Sequence, residues 1–368
     1  MPEAKLKQLY HIPVLSKALD VLELLQRENQ PLSVEAIWRR TSISKATVYR
    51  IVKTLTHRGY LAQTVNGHYR FAARPRKVRF GFGSQSAEMP FSEAVTRSLT
   101  TAAASNGVEL LVLDNRYDAA TAVKNADIFV DSKVDLVIEF QIDQAVAPVI
   151  ADKIHSAGIP LIAVDIPHPH ATFFGVDNYR VGFEAGVCLA DHAIANWKGQ
   201  VSHVLGLDLE DAGPLVQGRI TGAFEGIRSR LPKIGVEKFV RIDARGMREK
   251  GYRVTLEFLR RHPKHHTTLV AAATDTSGLG ALEAIKELKR DKQVAIVGQD
   301  CLPEALDAMR IEGSPYIGSV SHEVDTYGPR LIQLGLAVVR GELIPPYNYV
   351  DHRLVTAKSL KTADAVKV

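Results

Sequence analysis

The sequence predicts an α/β protein in which a small N-terminal domain of three helices and a β-hairpin precedes a larger domain with two lobes of parallel sheet. Its 368 residues, at roughly 150 per domain, suggest two or three domains. Helical periodicity followed by an Asn-Gly turn marks the first seventy residues. From about residue 78 onward, short apolar runs alternate with longer amphipathic ones, which is typical of parallel sheets covered by helices on both faces.

Composition places the chain among ordinary globular proteins, with 46% hydrophobic and 24% charged residues. No run of about 18 apolar residues occurs, which argues against a membrane-spanning helix and predicts no membrane partner. Lys5, Lys7 and Lys17 interrupt the first 25 residues and argue against a secretory signal peptide. Cys188 and Cys301 are too few for a disulfide framework. We therefore expect a cytoplasmic location.

Charge is distributed unevenly along the chain. Residues 1–78 hold 14 Lys+Arg and 5 Asp+Glu, a formal charge of +9, whereas the remainder carries −4. A basic segment joined to a slightly acidic body is typical of a nucleic-acid-binding domain attached to a second module. The alternative is a solvated basic surface that binds nothing.

The first two helices are predicted from apolar spacing and from capping residues. Apolar side chains recur at helical spacing from Val14 to Leu25, and Pro31 ends that pattern. Ser33 is a suitable cap for a second, short helix that reaches about Thr41.

A third helix and a hairpin complete the small domain. Ser44 is a suitable cap for this helix, which ends at Gly59 because glycine readily adopts the left-handed C-terminal conformation. An Asn-Gly pair then separates two short alternating runs, 60–64 and 68–71, and this is the strongest local pattern for a hairpin. Three helices and a hairpin in this order predict a winged helix-turn-helix domain.

The third helix carries the expected contacts with DNA, because the second helix of the turn motif presents its N-terminal residues to base edges. The residues predicted to meet the groove are Ser44, Lys45, Thr47, Tyr49 and Arg50, with Lys53 near a phosphate. The hairpin is predicted to place Asn66, His68 and Arg70 along the backbone or the minor groove. No Asp or Glu occurs from Ala36 to Phe71, so phosphate binding should be salt dependent. The alternative is a winged helix that binds another protein.

These segments also resemble a known family. The sequence Ser-Lys-Ala-Thr-Val-Tyr-Arg-Ile-Val at 44–52 is similar to the IclR-type DNA-binding domain, and residues 15–22 are similar to that family's first helix. The resemblance covers about residues 11–72 and implies binding to a double-stranded DNA operator. Ala46 stands where that family usually has serine, so one polar contact that the family implies is missing here.

The body is predicted to contain parallel strands that alternate with helices. The predicted strands are Val78–Phe82, Val108–Leu113, Leu136–Ile138, Pro160–Val164, Val201–Leu205, Phe239–Ile242, Thr268–Ala273, Val294–Val297 and Ile317–Val320. Predicted helices include Glu93–Ala104, Ala145–Ser156, Val216–Arg230, Gly278–Leu288 and Thr326–Arg340. Some 275 residues are too many for one sheet, so the body should have two lobes.

Polar residues that follow the strands predict the binding site, because ligands of open α/β sheets bind beyond the carboxyl ends of the strands. These residues include Gln85, Glu139, Gln141, Asp165, Thr274, Asp275, Gln299, Asp300, Ser321 and His322. Carboxylates and amides beside an aromatic ring suit a polyhydroxylated ligand, since hydroxyls need paired donors and acceptors and a ring covers the apolar face of a sugar. The alternative for any one of them is to cap the following helix.

Short motifs recur in order along the body, namely Met89-Pro90-Phe91, 107–110, 158–165, Val176-Asp177-Asn178, 278–282 and 297–300. Together they resemble periplasmic sugar-binding proteins of the ribose-binding type and the effector domains of LacI/GalR repressors. The fold that this implies is a two-lobed periplasmic-binding-protein type I domain. The ligand-binding roles that it implies fall on Met89, Phe91, Glu139, Asp165, Gln217, Thr274, Asp300 and His322.

Departures from that resemblance bear on the ligand. Related sugar sites usually have Arg where Gln217 stands and Asn where Thr274 stands. Asp165 and Asp300 are both present as in the related sites, and they are compatible with a neutral, polyol-like ligand. Few cationic donors argue against a phosphorylated sugar, although Arg219 lies close to Gln217 in sequence.

The predicted domains are a winged helix-turn-helix at 1–73, a linker at 74–77, an effector domain at 78–355 and a tail at 356–368. The linker lacks the hinge helix of LacI/GalR repressors, so coupling is expected to depend on the placement of the DNA-binding domains in a homodimer. Closure of the lobes around the ligand would then alter operator affinity, since operator half-sites repeat at about 34–36 Å.

Other chemistry is weakly supported. Two His-rich segments, 168–170 and 262–266, lack a third ligand at a metal-binding spacing. No nucleophile–base pair or phosphate-binding glycine loop is found, so we expect no catalytic residue, metal or cofactor. The sequence predicts a ligand-controlled transcriptional regulator. The alternatives are an α/β enzyme that acts on a small molecule and a transport-type solute-binding protein.

Overall fold

The chain divides into two compact units, Met1–Val78 and Arg79–Val368. The structure is a computed structural model that describes residues 12–28, 30–72 and 77–360. Most of the predicted linker at 74–77 and of the predicted tail at 356–368 lies outside the described residues.

The first unit is the winged helix-turn-helix that the sequence predicts. Its helices are α1 (Pro13–Arg27), α2 (Val34–Arg40) and α3 (Lys45–His57). Its hairpin consists of β1 (Leu61–Gln63) and β2 (Tyr69–Phe71), which pair antiparallel with Gln63 opposite Tyr69.

The predicted caps hold the ends of these helices. The Ser33 hydroxyl accepts a hydrogen bond from the Ala36 N–H at 3.1 Å, and the Ser44 hydroxyl accepts one from Thr47 at 3.4 Å. Gly59 has a φ of 76°, the left-handed conformation expected after α3.

A small apolar core joins the three helices to the hairpin. It is formed by Val21, Leu25, Leu32, Ile37, Ile43, Val48, Ile51, Val52, Leu61 and Tyr69. The first turn of α1 lies outside this core, because Ile12, Val14 and Leu15 are each more than half exposed.

The second unit contains two lobes, each built on a six-stranded sheet among the described residues. The N-lobe sheet has the order β13-β7-β6-β5-β3-β4, with all neighbours parallel. Its strands are β3 (Arg79–Ser84), β4 (Glu109–Asp114), β5 (Leu136–Glu139), β6 (Leu161–Val164), β7 (Thr172–Gly175) and β13 (Tyr347–Tyr349). Its helices are α4 (Pro90–Ser105), α5 (Ala119–Asp131), α6 (Ala147–Ser156) and α12 (Tyr327–Val339).

The C-lobe sheet has the order β14-β12-β11-β10-β8-β9, and β14 is the antiparallel edge strand. Its strands are β8 (His203–Asp208), β9 (Phe239–Asp243), β10 (Thr268–Ala272), β11 (Val294–Gln299), β12 (Tyr316–Ser321) and β14 (Arg353–Thr356). Its helices are α7 (Asn178–Trp197), α8 (Gly213–Arg230), α9 (Arg248–Arg260), α10 (Asp275–Glu287) and α11 (Pro303–Arg310).

The chain crosses between the lobes three times within the described residues. It passes from β7 to α7, from β12 to α12 and from β13 to β14. Each lobe is therefore assembled from separate stretches of sequence, and three short connections join them. All nine strands predicted in the body are present, whereas the short strands β7, β13 and β14 were not predicted.

Candidate functional site

A cleft lies between the N-lobe and the C-lobe, at the carboxyl ends of the parallel strands of both sheets. The empty space within it, including open solvent at its mouth, is about 590 Å³. The N-lobe lines it with Gln85, Met89, Pro90, Phe91, Tyr117, Phe140, Ile142, Asp165 and Ile166. The C-lobe lines it with Leu209, Ala212, Val216, Arg219, Gly246, Thr274, Thr276 and Asp300. Much of the wall is apolar, with a few polar groups at strand ends.

Asp165 follows β6 and faces the cleft with a strained backbone. Its φ of 60° lies in the left-handed region, and its N–H donates to the Phe174 carbonyl at 2.9 Å. The Oδ1 atom is buried without a hydrogen-bond partner among the described residues. Burial raises the pKa of Asp165 to about 6, and the charge of Arg219 opposes that rise. Asp165 therefore carries a buried acceptor that the protein itself leaves unsatisfied.

Asp300 follows β11 and approaches the same cleft from the C-lobe. Its φ is 104°, and its N–H donates to the Val320 carbonyl at 2.9 Å. Burial raises the pKa of Asp300 well above its ordinary value; the charges of Asp275 and Asp165 add to the rise, and Arg219 opposes it. Two carboxyl groups thus enter the cleft from opposite lobes.

Asp275 supports the turn that carries Asp300. Its carboxylate accepts hydrogen bonds from the Tyr316 hydroxyl at 2.7 Å, the Ser319 hydroxyl at 2.8 Å and the Leu302 N–H at 2.8 Å. These bonds hold the chain directly after Asp300 against β12.

Arg219 is the cation of the cleft wall. Its Nε donates to Asn178 Oδ1 at 2.7 Å, and one terminal nitrogen donates to the Ala273 carbonyl at 2.9 Å. Because these bonds fix the guanidinium against the C-lobe, its remaining N–H donors are held in place for Asp165, Asp300 or a ligand.

Phe91 provides an aromatic surface at the start of α4. Its ring makes edge contacts with Phe140, His322 and Tyr327, with centroid distances of 6.3, 5.8 and 5.8 Å. A ring locked in this way can cover an apolar ligand face at low cost in side-chain entropy.

The structure brings five of the predicted ligand-binding residues together along the cleft wall, namely Met89, Phe91, Asp165, Thr274 and Asp300. Three other predicted residues do not line it: Glu139, Gln217 and His322. Glu139 is fully buried and accepts a hydrogen bond from Asn115 Nδ2 at 2.7 Å. Burial raises the pKa of Glu139 to about 8.

Gln217 and His322 miss the cleft for different reasons. On α8, Val216 and Arg219 face the ligand space, and Gln217 lies a third of a turn away from Val216. His322 is buried behind Phe91 and Asp300. Arg219 therefore occupies the place where the resemblance suggested a cation. Neither Tyr117 nor Thr276 stood out in the sequence as a residue of the cleft.

Two contacts join the lobes beside the cleft. The Tyr117 hydroxyl of the N-lobe donates to the Arg245 carbonyl of the C-lobe at 3.1 Å. The Gln144 side chain of the N-lobe packs against Gly213 so closely that a Cβ there would overlap with it. The lobes therefore meet at the mouth of the cleft.

A second candidate site is the face of α3 and the hairpin in the first unit. Ser44, Lys45, Tyr49, Arg50 and Lys53 are exposed on α3, whereas Thr47 is half-buried. The hairpin exposes Asn66, His68 and Arg70. Among the described residues, Arg50 and Arg70 form no ion pair, so their charges are available to phosphates.

Some of the predicted DNA contacts already have protein partners. Lys45 forms an ion pair with Glu35, the residue directly before the acid-free segment. Lys53 lies 5.8 Å from the ring centroid of Tyr49 and 3.3 Å from Gln63 Oε1 of the hairpin. Lys45 must leave Glu35, or share it, in order to bind a phosphate.

Metal and membrane sites are not indicated in the part of the chain that the structure describes. No group of three or more His, Cys, Asp or Glu side chains there is arranged to hold a metal ion. No helix in that part is both long and apolar enough to cross a bilayer.

Comparison with protein families assigns both units. Residues 80–343 match the periplasmic binding protein domain, and residues 14–64 match the IclR helix-turn-helix domain. Comparison with curated proteins finds no match.

Solved structures similar to this chain include solute-binding proteins of ABC transporters. An ABC transporter solute-binding protein from Mycobacterium smegmatis with bound glycerol is 21% identical, covers 78% of this chain and 96% of its own, and has a TM-score of 0.68. A periplasmic solute-binding protein from Actinobacillus succinogenes with bound D-allose is 19% identical, covers 78% and 100%, and has a TM-score of 0.67. One from Bacillus halodurans with bound myo-inositol is 19% identical, covers 78% and 98%, and has a TM-score of 0.65. These likenesses establish the fold of the body.

Proposed function

The chain belongs to the periplasmic binding protein domain family, and from that premise we propose that it is a transcriptional regulator whose operator affinity is controlled by a small polar ligand in the interlobe cleft. The observation that carries the proposal is the presence of an IclR-type helix-turn-helix and a two-lobed ligand-binding body in one chain. A transport protein would not need a DNA-binding unit, and the two matched family models describe a DNA-binding domain and a solute-binding domain.

The ligand that best suits the cleft is a neutral sugar or polyol. Asp165, Asp300, Thr274 and Arg219 offer acceptors and donors for hydroxyl groups, and Phe91 offers a ring for an apolar face. A phosphate or carboxylate on the ligand would meet two carboxyl groups and a single cation. Similar solved proteins hold glycerol, D-allose and myo-inositol, which are neutral polyhydroxylated molecules.

We expect the regulator to act as a homodimer in the cytoplasm, because palindromic operators mirror a two-fold symmetric protein. Ile12, Val14, Leu15 and Leu19 on or beside α1 are exposed apolar side chains that a second copy would cover. Closure of the lobes around the ligand would alter how the two DNA-binding domains engage their half-sites.

A thermal-shift screen of sugars, polyols and sugar acids tests ligand binding. A ligand at 100 times its dissociation constant should stabilise the protein by about 2.7 kcal/mol. Asp300→Ala should abolish that shift and leave DNA affinity unchanged. Failure of every polyhydroxylated compound to stabilise the protein would contradict the assignment of the ligand class.

DNA binding is tested by the salt dependence of affinity for a duplex. Lys53→Ala should lower the magnitude of the slope of log K against log salt by about 1, since one phosphate contact releases about one counterion. The matched control is Arg97→Ala, which changes the net charge equally but lies on α4 of the body. Equal slopes for the two variants would argue against the α3 surface as the DNA-binding surface.

Conversion of the ligand into a product would favour the alternative that the chain is an enzyme.

A further inference from the structure

Asp300 and His322 face each other in the interior behind the cleft. Asp300 Oδ1 lies 3.5 Å from His322 Nδ1, and the two side chains are 8% and 0% exposed. His322 does not line the cleft, so it acts on a ligand through the residues of the wall that it contacts, of which Asp300 is the one that can carry charge.

The amide of Gln299 determines which nitrogen of His322 carries hydrogen. Gln299 Nε2 donates to the Val181 carbonyl at 3.4 Å, which turns Gln299 Oε1 toward His322. Oε1 lies 3.1 Å from His322 Nε2. Because an amide oxygen only accepts, His322 Nε2 carries the proton. In the neutral ring, Nδ1 is then a lone pair directed at Asp300.

A carboxylate oxygen and an unprotonated ring nitrogen repel each other at 3.5 Å, and a proton on either group removes that repulsion. We propose that Asp300 is a neutral carboxylic acid in the unliganded cleft, favoured in that state by its burial and by the Nδ1 lone pair of His322 that faces it. The alternative, an imidazolium beside a carboxylate, would bury two opposite charges where a neutral ring and a neutral acid bury none, and desolvation makes that arrangement costly.

The surrounding charges support the same assignment. Arg219, Asp165 and Asp275 are the charged groups that act on Asp300, and Arg219 and His352 act on His322. The two carboxyls favour a proton on Asp300, and the two basic groups disfavour one on His322. Burial, Arg219 and His352 lower the pKa of His322 well below its ordinary value.

The inference rests on the proposed function and deepens it, since it gives His322 control over the charge of the cleft. With Asp300 neutral, the charges left in the wall are those of Asp165 and Arg219, which oppose each other. The cleft then favours an uncharged polyhydroxylated ligand over a sugar acid or an amino sugar.

The test measures the tautomers of histidine by long-range ¹H–¹⁵N correlation in the full chain labelled with ¹⁵N-histidine, at pH 7 and without ligand or DNA. His322→Gln identifies the resonances of His322. We expect Nε2 protonated and Nδ1 unprotonated. His168 is the control, because its Nδ1 lies 2.9 Å from the Ile166 carbonyl and so must carry the proton; His168→Gln identifies it. A doubly protonated His322, or one protonated at Nδ1 alone, would overturn the proposal.

An infrared difference spectrum locates the proton on Asp300 without relying on the histidine variants. The carbonyl band of a protonated carboxylic acid should be present in the wild type at pH 7 and weaker by one group in Asp300→Asn, which should also keep the Nε2–H tautomer of His322. An unchanged band would overturn the proposal. Because neither readout involves an effector or an operator, failure here is distinct from failure of the proposed function.

Discussion

Replacing Asp165 with asparagine should stabilise the empty protein and at the same time prevent ligand binding. The ionised carboxylate of Asp165 is poorly solvated, and its Oδ1 has no hydrogen-bond partner among the described residues. Asparagine is nearly isosteric and tolerates the left-handed φ of 60°, so the backbone need not change. The variant removes a negative charge that we expect to bind the ligand. The same charge destabilises the folded protein when the cleft is empty.

The magnitude follows from the pKa of Asp165, which burial raises from 3.8 to about 6. A carboxyl whose pKa is raised on folding contributes stability that is fully present below pH 4 and lost as the pH rises to about 6. At 1.36 kcal/mol per pKa unit, the loss above pH 6 is up to about 3 kcal/mol. Asp165→Asn should recover much of it, which corresponds to an increase in Tm of roughly 5 °C.

Denaturant unfolding of the wild type and Asp165→Asn between pH 4 and 8 measures this difference. The difference in the free energy of unfolding between Asp165→Asn and the wild type should be near zero at pH 4. It should increase up to pH 6 and then stay constant. Asp118→Asn is the matched control, because hydrogen bonds from Thr121 lower the pKa of that exposed capping carboxylate. A less stable Asp165→Asn protein at pH 7.5, or a gain that does not vary with pH, would refute the reasoning.

Three further predictions concern other parts of the body. Tyr117→Phe removes the hydrogen bond to the Arg245 carbonyl that joins the lobes, so calorimetric titration should show ligand affinity reduced about fivefold, for a loss of about 1 kcal/mol. Gly222→Ala places a Cβ against the backbone of α7 and should destabilise the protein by about 1–3 kcal/mol in denaturant unfolding, whereas Gly218→Ala on the same helix has ordinary contacts and should be neutral or slightly stabilising. Glu139→Gln should raise stability at pH 7.5 by up to about 4 kcal/mol and leave ligand affinity unchanged; lost affinity would show that Glu139 contacts the ligand.

Sequence reasoning located the strands and the cleft because their patterns are local. The buried strands are short apolar runs, and a polar residue after such a run must lie at the carboxyl end of a parallel sheet. Asp165, Thr274 and Asp300 were therefore predicted as neighbours from three separate stretches of sequence, and the structure brings them to one cleft.

Features that depend on rotation or on distant packing were not predictable in the same way. Gln217 follows Val216 directly on α8, but only Val216 faces the cleft. The spacing of apolar residues along this helix does not indicate which of its sides faces the ligand. The ion pair between Glu35 and Lys45 joins α2 to α3, so an acid outside the acid-free segment partly neutralises its first cation.

The order in which the chain builds the lobes also depends on distant pairing. β13 lies at the edge of the N-lobe sheet although the preceding strand, β12, belongs to the C-lobe. The four-residue strands β5 and β6 could be recognised because each contains a run of three or four aliphatic residues, whereas β7 and β13 contain no such run.

Ligand affinity measured by titration of the free protein and of the operator-bound protein tests the central claim most directly. A coupling of 1–3 kcal/mol, typical of allosteric proteins, predicts dissociation constants that differ by about 5–150-fold, and the ligand must change operator affinity by the same factor. Identical ligand affinities in the two states would show that the cleft and the DNA-binding surface are not coupled, and the proposal of a ligand-controlled regulator would be wrong.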